Sequence, residues 1–148
     1  MIDETGMDIL LIEDNDMDAE LTCRALKRIH LGETIHRLKD GQEVLDFLFQ
    51  PDEMISKKRV KNPRLILLDL KLPFVSGIEL LAKIKADRDL RRIPLVVLTS
   101  SAEEQDIADC YRLGANSYIV KPIEFEHFTA SIQNIGLYWL NLNQSPVI

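Results

Sequence analysis

The chain has 148 residues, 46% apolar and 28% charged, enough to bury one core of ordinary domain size and keep its surface in water. Its net charge of −6 argues against a nucleic-acid surface, which needs clustered Lys and Arg. The basic run Lys57-Lys58-Arg59 with Lys61 carries no aromatic residue to stack a base and reads as a solvated loop. Cys23 and Cys110 lack metal or CxxC spacing and read as reduced thiols. The acidic start Met1-Ile2-Asp3-Glu4 has no apolar stretch of a secretory signal, and no apolar run reaches membrane-spanning length, so the expected location is the cytoplasm.

Strand and helix alternate five times along the chain. Ile9-Leu10-Leu11-Ile12 is a continuous apolar run, as a strand covered on both faces requires. Helical spacing follows from Glu20 to Ile29, with Leu21, Ala25, Leu26 and Ile29 on one face. Thr34 to Lys39 reads as a weaker edge strand, and Asp40-Gly41 turns into a helix carrying Val44, Leu45 and Leu48. Gln50 to Pro63 is a long polar connection. Leu65-Ile66-Leu67-Leu68 is the clearest strand. Gly77 to Ala86 is a helix with Leu80, Leu81 and Ile84 inward, and Leu95 to Leu98 is the fourth strand. Ser101-x-x-Glu104 has the spacing of a capping box. Ser117 to Val120 is the fifth strand, and the last helix runs from Glu124.

Such alternation predicts an α/β fold in one domain over residues 1–148, its core at about 8–140 with a short C-terminal tail. The expected architecture is a doubly wound five-stranded parallel sheet of order 2-1-3-4-5, flavodoxin-like. Ligands of these sheets sit beyond the carboxyl ends of the strands. Those ends carry Glu13-Asp14, Asp69, Thr99-Ser100 and Lys121-Pro122. Strands 1 and 3 are neighbours in this order, so Asp14 and Asp69 should face each other. Clustered carboxylates need a counter-charge. A hard cation such as Mg²⁺ suits carboxylates with water and phosphate, while Lys121 adds an ammonium and Thr99 a hydroxyl. Together they make a site for phosphoryl transfer to a carboxylate.

From about Asp8 to Leu140 the chain resembles the receiver domains of two-component response regulators, whose fold is CheY-like. Glu13-Asp14 matches the family's acidic pair. Asp69-Leu70-Lys71-Leu72-Pro73 with Ser76-Gly77 matches the segment around the phosphorylated aspartate. Thr99-Ser100, Lys121-Pro122, Gly41 and Gly114-Ala115 also fall in place, although Ser100 stands where alanine is frequent. The resemblance implies that Asp69 accepts the phosphoryl group from a sensor histidine kinase and that Thr99 and Lys121 bind its oxygens. It implies Mg²⁺ held by Asp14, Asp69 and the backbone carbonyl of Lys71, with Glu13 acting through water. It also implies a cis Lys121-Pro122 bond and a switch role for Tyr118 coupled to Thr99. The protein would be a phosphoacceptor switch that catalyses only its own phosphorylation and slow dephosphorylation.

Other readings fit less well. Asp14-x-Asp16-x-Asp18 opens like a calcium loop, but Ala19 and Ala25 stand where glycine and the closing glutamate belong. Otherwise Asp16 and Asp18 are acids favoured at a helix N-terminus. A haloacid-dehalogenase-type phosphohydrolase would use Asp14-x-Asp16 with Thr99 and Lys121, and would leave Asp69 idle. A flavin module would need a phosphate loop where Glu13-Asp14-Asn15-Asp16 repels phosphate. His30, His36 and His127 show no ligand spacing.

Without a recognisable output domain, the expected output is a protein contact. Phe125, Phe128, Ile132 and Ile135 read as core. Tyr138, Trp139, Leu140 and Leu142 add more apolar surface than a helix end usually buries. This tail and the long connection resemble the stand-alone regulators paired with bacteriophytochrome histidine kinases, in which the same end often forms a homodimer.

Overall fold

A computed structural model describes residues 7–31, 33–49 and 63–146. The acidic N-terminus, the basic run and nearly all of the polar connection before Pro63 lie outside them.

Three apolar runs become the inner strands because nothing in them tolerates water. β1 (Ile9–Ile12), β3 (Leu65–Leu68) and β4 (Leu95–Thr99) are buried at every position. β2 (Ile35–Leu38) buries only Leu38, and β5 (Ser117–Val120) is partly exposed throughout, as edge strands are. The sheet is parallel in the order β2-β1-β3-β4-β5, as expected.

Alternation divides the strand side chains between two cores. Leu10, Ile12, Ile66, Leu68, Leu95 and Val97 join Val44, Leu80, Leu81, Ile84 and Cys110 from α2 (Gly41–Leu48), α3 (Gly77–Ala86) and α4 (Glu104–Leu113). Ile9, Leu11, Leu65, Leu67, Val96 and Leu98 pack on Ala25, Leu26, Phe128, Ile132 and Ile135 from α1 (Asp16–Arg28) and α5 (Phe125–Gly136). Helices thus cover both faces, and the strand ends share one rim.

Capping chemistry sets the helix starts. α1 begins at Asp16, four residues before the apolar spacing, because the Asn15 side chain accepts the Asp18 N–H at 2.8 Å. α3 opens with a capping box in which Ser76 and Glu79 each accept the other's backbone N–H at 3.2 Å. The box expected at Ser101 and Glu104 does not form. The helix starts too late for it: the buried Ser101 Oγ accepts the Glu103 N–H at 3.3 Å and donates to the Asp106 carboxylate at 2.6 Å. α4 starts at Glu104 with no side-chain cap.

Two further expectations are corrected. No cis peptide bond occurs among the described residues, so Lys121-Pro122 is trans, the form that X–Pro bonds favour by about 0.5–1 kcal/mol. Phe125, at the first turn of α5, is 51% exposed, while Phe128, Ile132 and Ile135 are buried as predicted. Beyond α5 the chain widens into a π-helical segment, Leu137–Leu142, and the Asn143 N–H reaches the Tyr138 carbonyl at 2.7 Å. Leu140 is buried there, its carbonyl bonded by the Arg64 guanidinium, whereas Leu137, Tyr138 and Leu142 are exposed. No helix among the described residues is long and apolar enough to cross a membrane.

Gly77 marks the tightest packing beside the rim. A Cβ there would lie 2.5 Å from the backbone oxygen of Asp69 and from the Cα of Leu70. Rigid backbone cannot yield as a flexible side chain would. Gly77→Ala is therefore expected to lower stability by about 1–3 kcal/mol in urea denaturation; an unchanged midpoint would refute this packing.

Candidate functional site

The register of β1, β3 and β4 assembles the site. Ile12 pairs with Leu68, so Glu13 and Asp69 follow side by side, and the Asp69 N–H donates to the Ile12 carbonyl at 3.0 Å. Leu68 pairs with Val97, which brings Thr99 onto the adjoining strand end. Thr99 pairs with Val120, and the Lys121 N–H donates to the Thr99 carbonyl at 2.7 Å. Four strand ends distant in sequence thus meet at one rim.

The loop between β1 and α1 is held from two sides. The Asn15 N–H donates to Glu13 Oε2 at 3.2 Å. From β2, Arg37 Nε donates to the Glu13 carbonyl at 2.9 Å, and Nη1 pairs with Asp16 at 2.9 Å. Asp16 is turned away from the cluster by this pair. The calcium-loop and hydrolase readings both need Asp14 and Asp16 to act together, and this arrangement removes their support.

Lys121 stands at the centre. Its Nζ lies 2.8 Å from Asp18 Oδ2, 2.9 Å from Glu13 Oε1 and 3.0 Å from Asp69 Oδ2. The Lys121, Glu13 and Asp69 side chains are 10%, 2% and 8% exposed, and Asp18 is 29% exposed. The other Asp69 oxygen, Oδ1, accepts the Lys71 N–H at 3.3 Å, while the Lys71 side chain faces solvent. One carboxylate oxygen from each of Glu13, Asp14 and Asp69 lies within 4.8 Å of the others.

Charge is unbalanced in this cluster, and the titrating groups register it. Burial pushes the Glu13 carboxyl up to about 7; its bond to Lys121 pulls the other way, and the charge of Asp69 adds to the rise. Burial alone would lower the Lys121 ammonium, but its bonds to Asp18 and Glu13 and the charge of Asp69 hold it above the usual lysine value. The two shifts are compatible because one ammonium is divided among several carboxylates. It is firmly charged, yet no single acid is fully compensated. Such an excess of hard oxygen donors fits a divalent cation of the Mg²⁺ or Mn²⁺ type.

Thr99 is fully buried, and its Oγ1 accepts the Ser101 N–H at 3.3 Å. Tyr118 is half-buried against the core under α4, and its hydroxyl donates to the Ser101 carbonyl at 2.9 Å. That bond ties β5 to the loop that leaves Thr99. Every rim residue singled out in the sequence therefore lies at the strand ends or one bond from them.

Sequence reasoning missed two contributors. Asp18 was read as a helix N-terminal acid, yet it joins the cluster; its one signal was its place in the first turn of α1, just after the acidic pair. Arg37 has no such signal, since only the pairing of β2 with β1 brings it to the loop.

Residues 9–133 match the response regulator receiver domain family. The chain belongs to this family, whose members work in two-component signalling as regulatory switches. Among its relatives, the probable methanogenesis regulatory protein FilR2 of Methanothrix harundinacea is 41% identical, over 93% of this chain and 86% of that protein. Response regulator Rcp1 of Synechocystis sp. is 40% identical, over 93% of this chain and 92% of its own length. A crystal structure of the Mn²⁺-bound form of response regulator Rcp1 superposes with a TM-score of 0.86 at 38% identity, covering 95% of this chain and 99% of that one. The phosphorylated cyanobacterial phytochrome response regulator RcpA superposes with a TM-score of 0.87 at 37% identity, covering 96% and 99%.

The raised Glu13 value makes a pH prediction. A carboxyl that holds its proton more tightly when folded than when unfolded favours the folded state at low pH. That contribution is lost as pH climbs from about 4.5 to about 7. Urea titrations in a chelator should therefore show stability falling across this window in the wild type and a flatter profile in Glu13→Gln. Identical slopes in the two proteins would contradict the burial argument.

Proposed function

We propose that this receiver accepts a phosphoryl group on Asp69 from a phosphohistidine of a sensor kinase, in a reaction that requires Mg²⁺. The observation carrying this reading is the Lys121 ammonium on one oxygen of Asp69, beside an acidic trio close enough to share a cation. Asp14, Asp69, Glu13 through water and the Lys71 carbonyl would hold the metal. When bound, it would neutralise charge on the phosphoryl oxygens.

An Asp69 oxygen attacks phosphorus, the new O–P bond forms as the P–N bond to the donor histidine breaks, and the electron pair returns to the imidazole. Lys121 and the Thr99 hydroxyl balance charge on the phosphoryl oxygens. The same groups serve the slow return reaction with water, so the chain catalyses only its own phosphorylation and dephosphorylation. RcpA, which is similar over nearly its whole length, is a phytochrome response regulator. That similarity supports a phytochrome-type histidine kinase in the cytoplasm as the donor.

The switch follows from the added charge, roughly −1.5 to −2. Thr99 is drawn toward it, and the loop tied to Tyr118 through Ser101 moves with Thr99. The surface of α4, β5 and α5 then changes for a downstream protein, a population shift biased by one covalent group. The exposed Leu137, Tyr138 and Leu142 favour a homodimer through the chain's C-terminal end. Leu142→Asp is expected to leave a monomer in sedimentation; an unchanged state would exclude that surface.

Intact mass after incubation with acetyl phosphate and Mg²⁺ tests the chemistry. A single phosphoryl adduct is expected, absent in Asp69→Asn and abolished by chelator. An adduct that survives Asp69→Asn would refute the assignment.

A further inference from the structure

Asp18 lies outside the acidic trio and has no part in the chemistry described above, yet it makes the shortest contact to Lys121, at 2.8 Å. An ammonium has three N–H donors. Around Lys121, three carboxylates crowd within 3.0 Å: the ammonium donates to Asp18 and Asp69 and is ion-paired with Glu13. A phosphoryl oxygen therefore finds no place on the ammonium free of a competing carboxylate. Lys121 can serve a phosphoryl group only after giving up a partner.

The three partners differ in what release would cost. Glu13 is almost completely enclosed, and parting from Lys121 would leave it a buried, unpaired charge. Asp69 is the group that reacts. Asp18 is the most exposed of the three and can exchange the ammonium for water. It is also held in place for the task. Asp18 sits in the first turn of α1, its N–H fixed by the Asn15 cap at 2.8 Å and its carbonyl accepting the Thr22 hydroxyl at 2.8 Å. The backbone stays put while the carboxylate is free to turn outward.

We infer that Asp18 is a positioning residue for phosphoryl transfer: it holds the Lys121 ammonium in the unphosphorylated protein and is the partner displaced when a phosphoryl group arrives. The inference rests on Asp69 as the acceptor. Asp18 thereby opposes phosphorylation, because the incoming group must compete with it for the same cation. It also couples the state of Asp69 to the first turn of α1, on the far side of the sheet from the face that Tyr118 serves.

The test is the affinity for beryllofluoride, a phosphoryl mimic, at saturating Mg²⁺, in wild type, Asp18→Asn and Glu20→Gln. Glu20 is an exposed acid on the same helix, paired with Arg24, so its replacement removes equal charge without touching Lys121. Asp18→Asn is expected to bind beryllofluoride about threefold to tenfold more tightly. Glu20→Gln should match wild type. The gain should persist at about 0.5 M salt, which screens a through-space repulsion but not a contact. Circular dichroism of Asp18→Asn should match wild type, since the cap uses its backbone. An affinity equal to or weaker than wild type in Asp18→Asn, or an equal gain in Glu20→Gln, overturns the displacement role and leaves Asp69 as acceptor. Wild type that binds no beryllofluoride and forms no adduct on Asp69 overturns both.

Discussion

One ammonium divided among several carboxylates organises this protein. Lys121 reaches Asp18, Glu13 and Asp69 from the end of an edge strand, and no other described lysine pairs with an acid of the rim. Burial raises the proton affinity of Glu13, and a cation shared with Asp18 and Asp69 offsets that rise only in part. The same deficit of positive charge makes the cluster receptive to a divalent metal and, with it, to a phosphoryl group. Stability and reactivity are opposed here. The rim is held together less well than it could be, and a cation is what relieves it.

The rest of the fold exists to bring that cluster together. Strands buried on both faces form a rigid platform, and their parallel pairing sends every carboxyl end to one edge. Small residues then let the loops close over it. Gly77 allows α3 to approach the Asp69 carbonyl, and Gly41 does the same for α2 against Val75. Arg37 pins the acidic loop from the opposite edge. The Tyr118 bond to the Ser101 carbonyl ties β5 to the loop that leaves Thr99.

Where burial governed an element, the residues announced it. The runs Ile9–Ile12 and Leu65–Leu68 have only one way to escape water, and they are strands; Gly77–Ala86 starts at its own cap and ends as its spacing requires. Glu13, Asp14, Asp69, Thr99 and Lys121 were legible as a site because each ends a strand or follows one, and the strand order brings those ends together. Polar geometry was harder to read. The first turn of α1 has no apolar pattern, and its start depends on one Asn15 side chain. Ser101 donates to the carboxylate of Asp106 and accepts the Glu103 N–H, one position short of the box its spacing suggested, because the helix starts at Glu104. Phe125 shares the helical spacing of the core residues but lies at the exposed start of α5. Asp18 was hidden because its partner lies 103 positions away.

The central claim is that Asp69, among several neighbouring acids, carries the phosphoryl group. Borohydride reduction of the phosphorylated protein tests it most directly, since an acyl phosphate is reduced to an alcohol and leaves a permanent mark on the acid that bore it. Peptide mapping should find homoserine in place of Asp69 and unmodified aspartate at Asp14, Asp16 and Asp18. The mark on Asp14 with Asp69 intact would contradict the account and restore the phosphohydrolase reading.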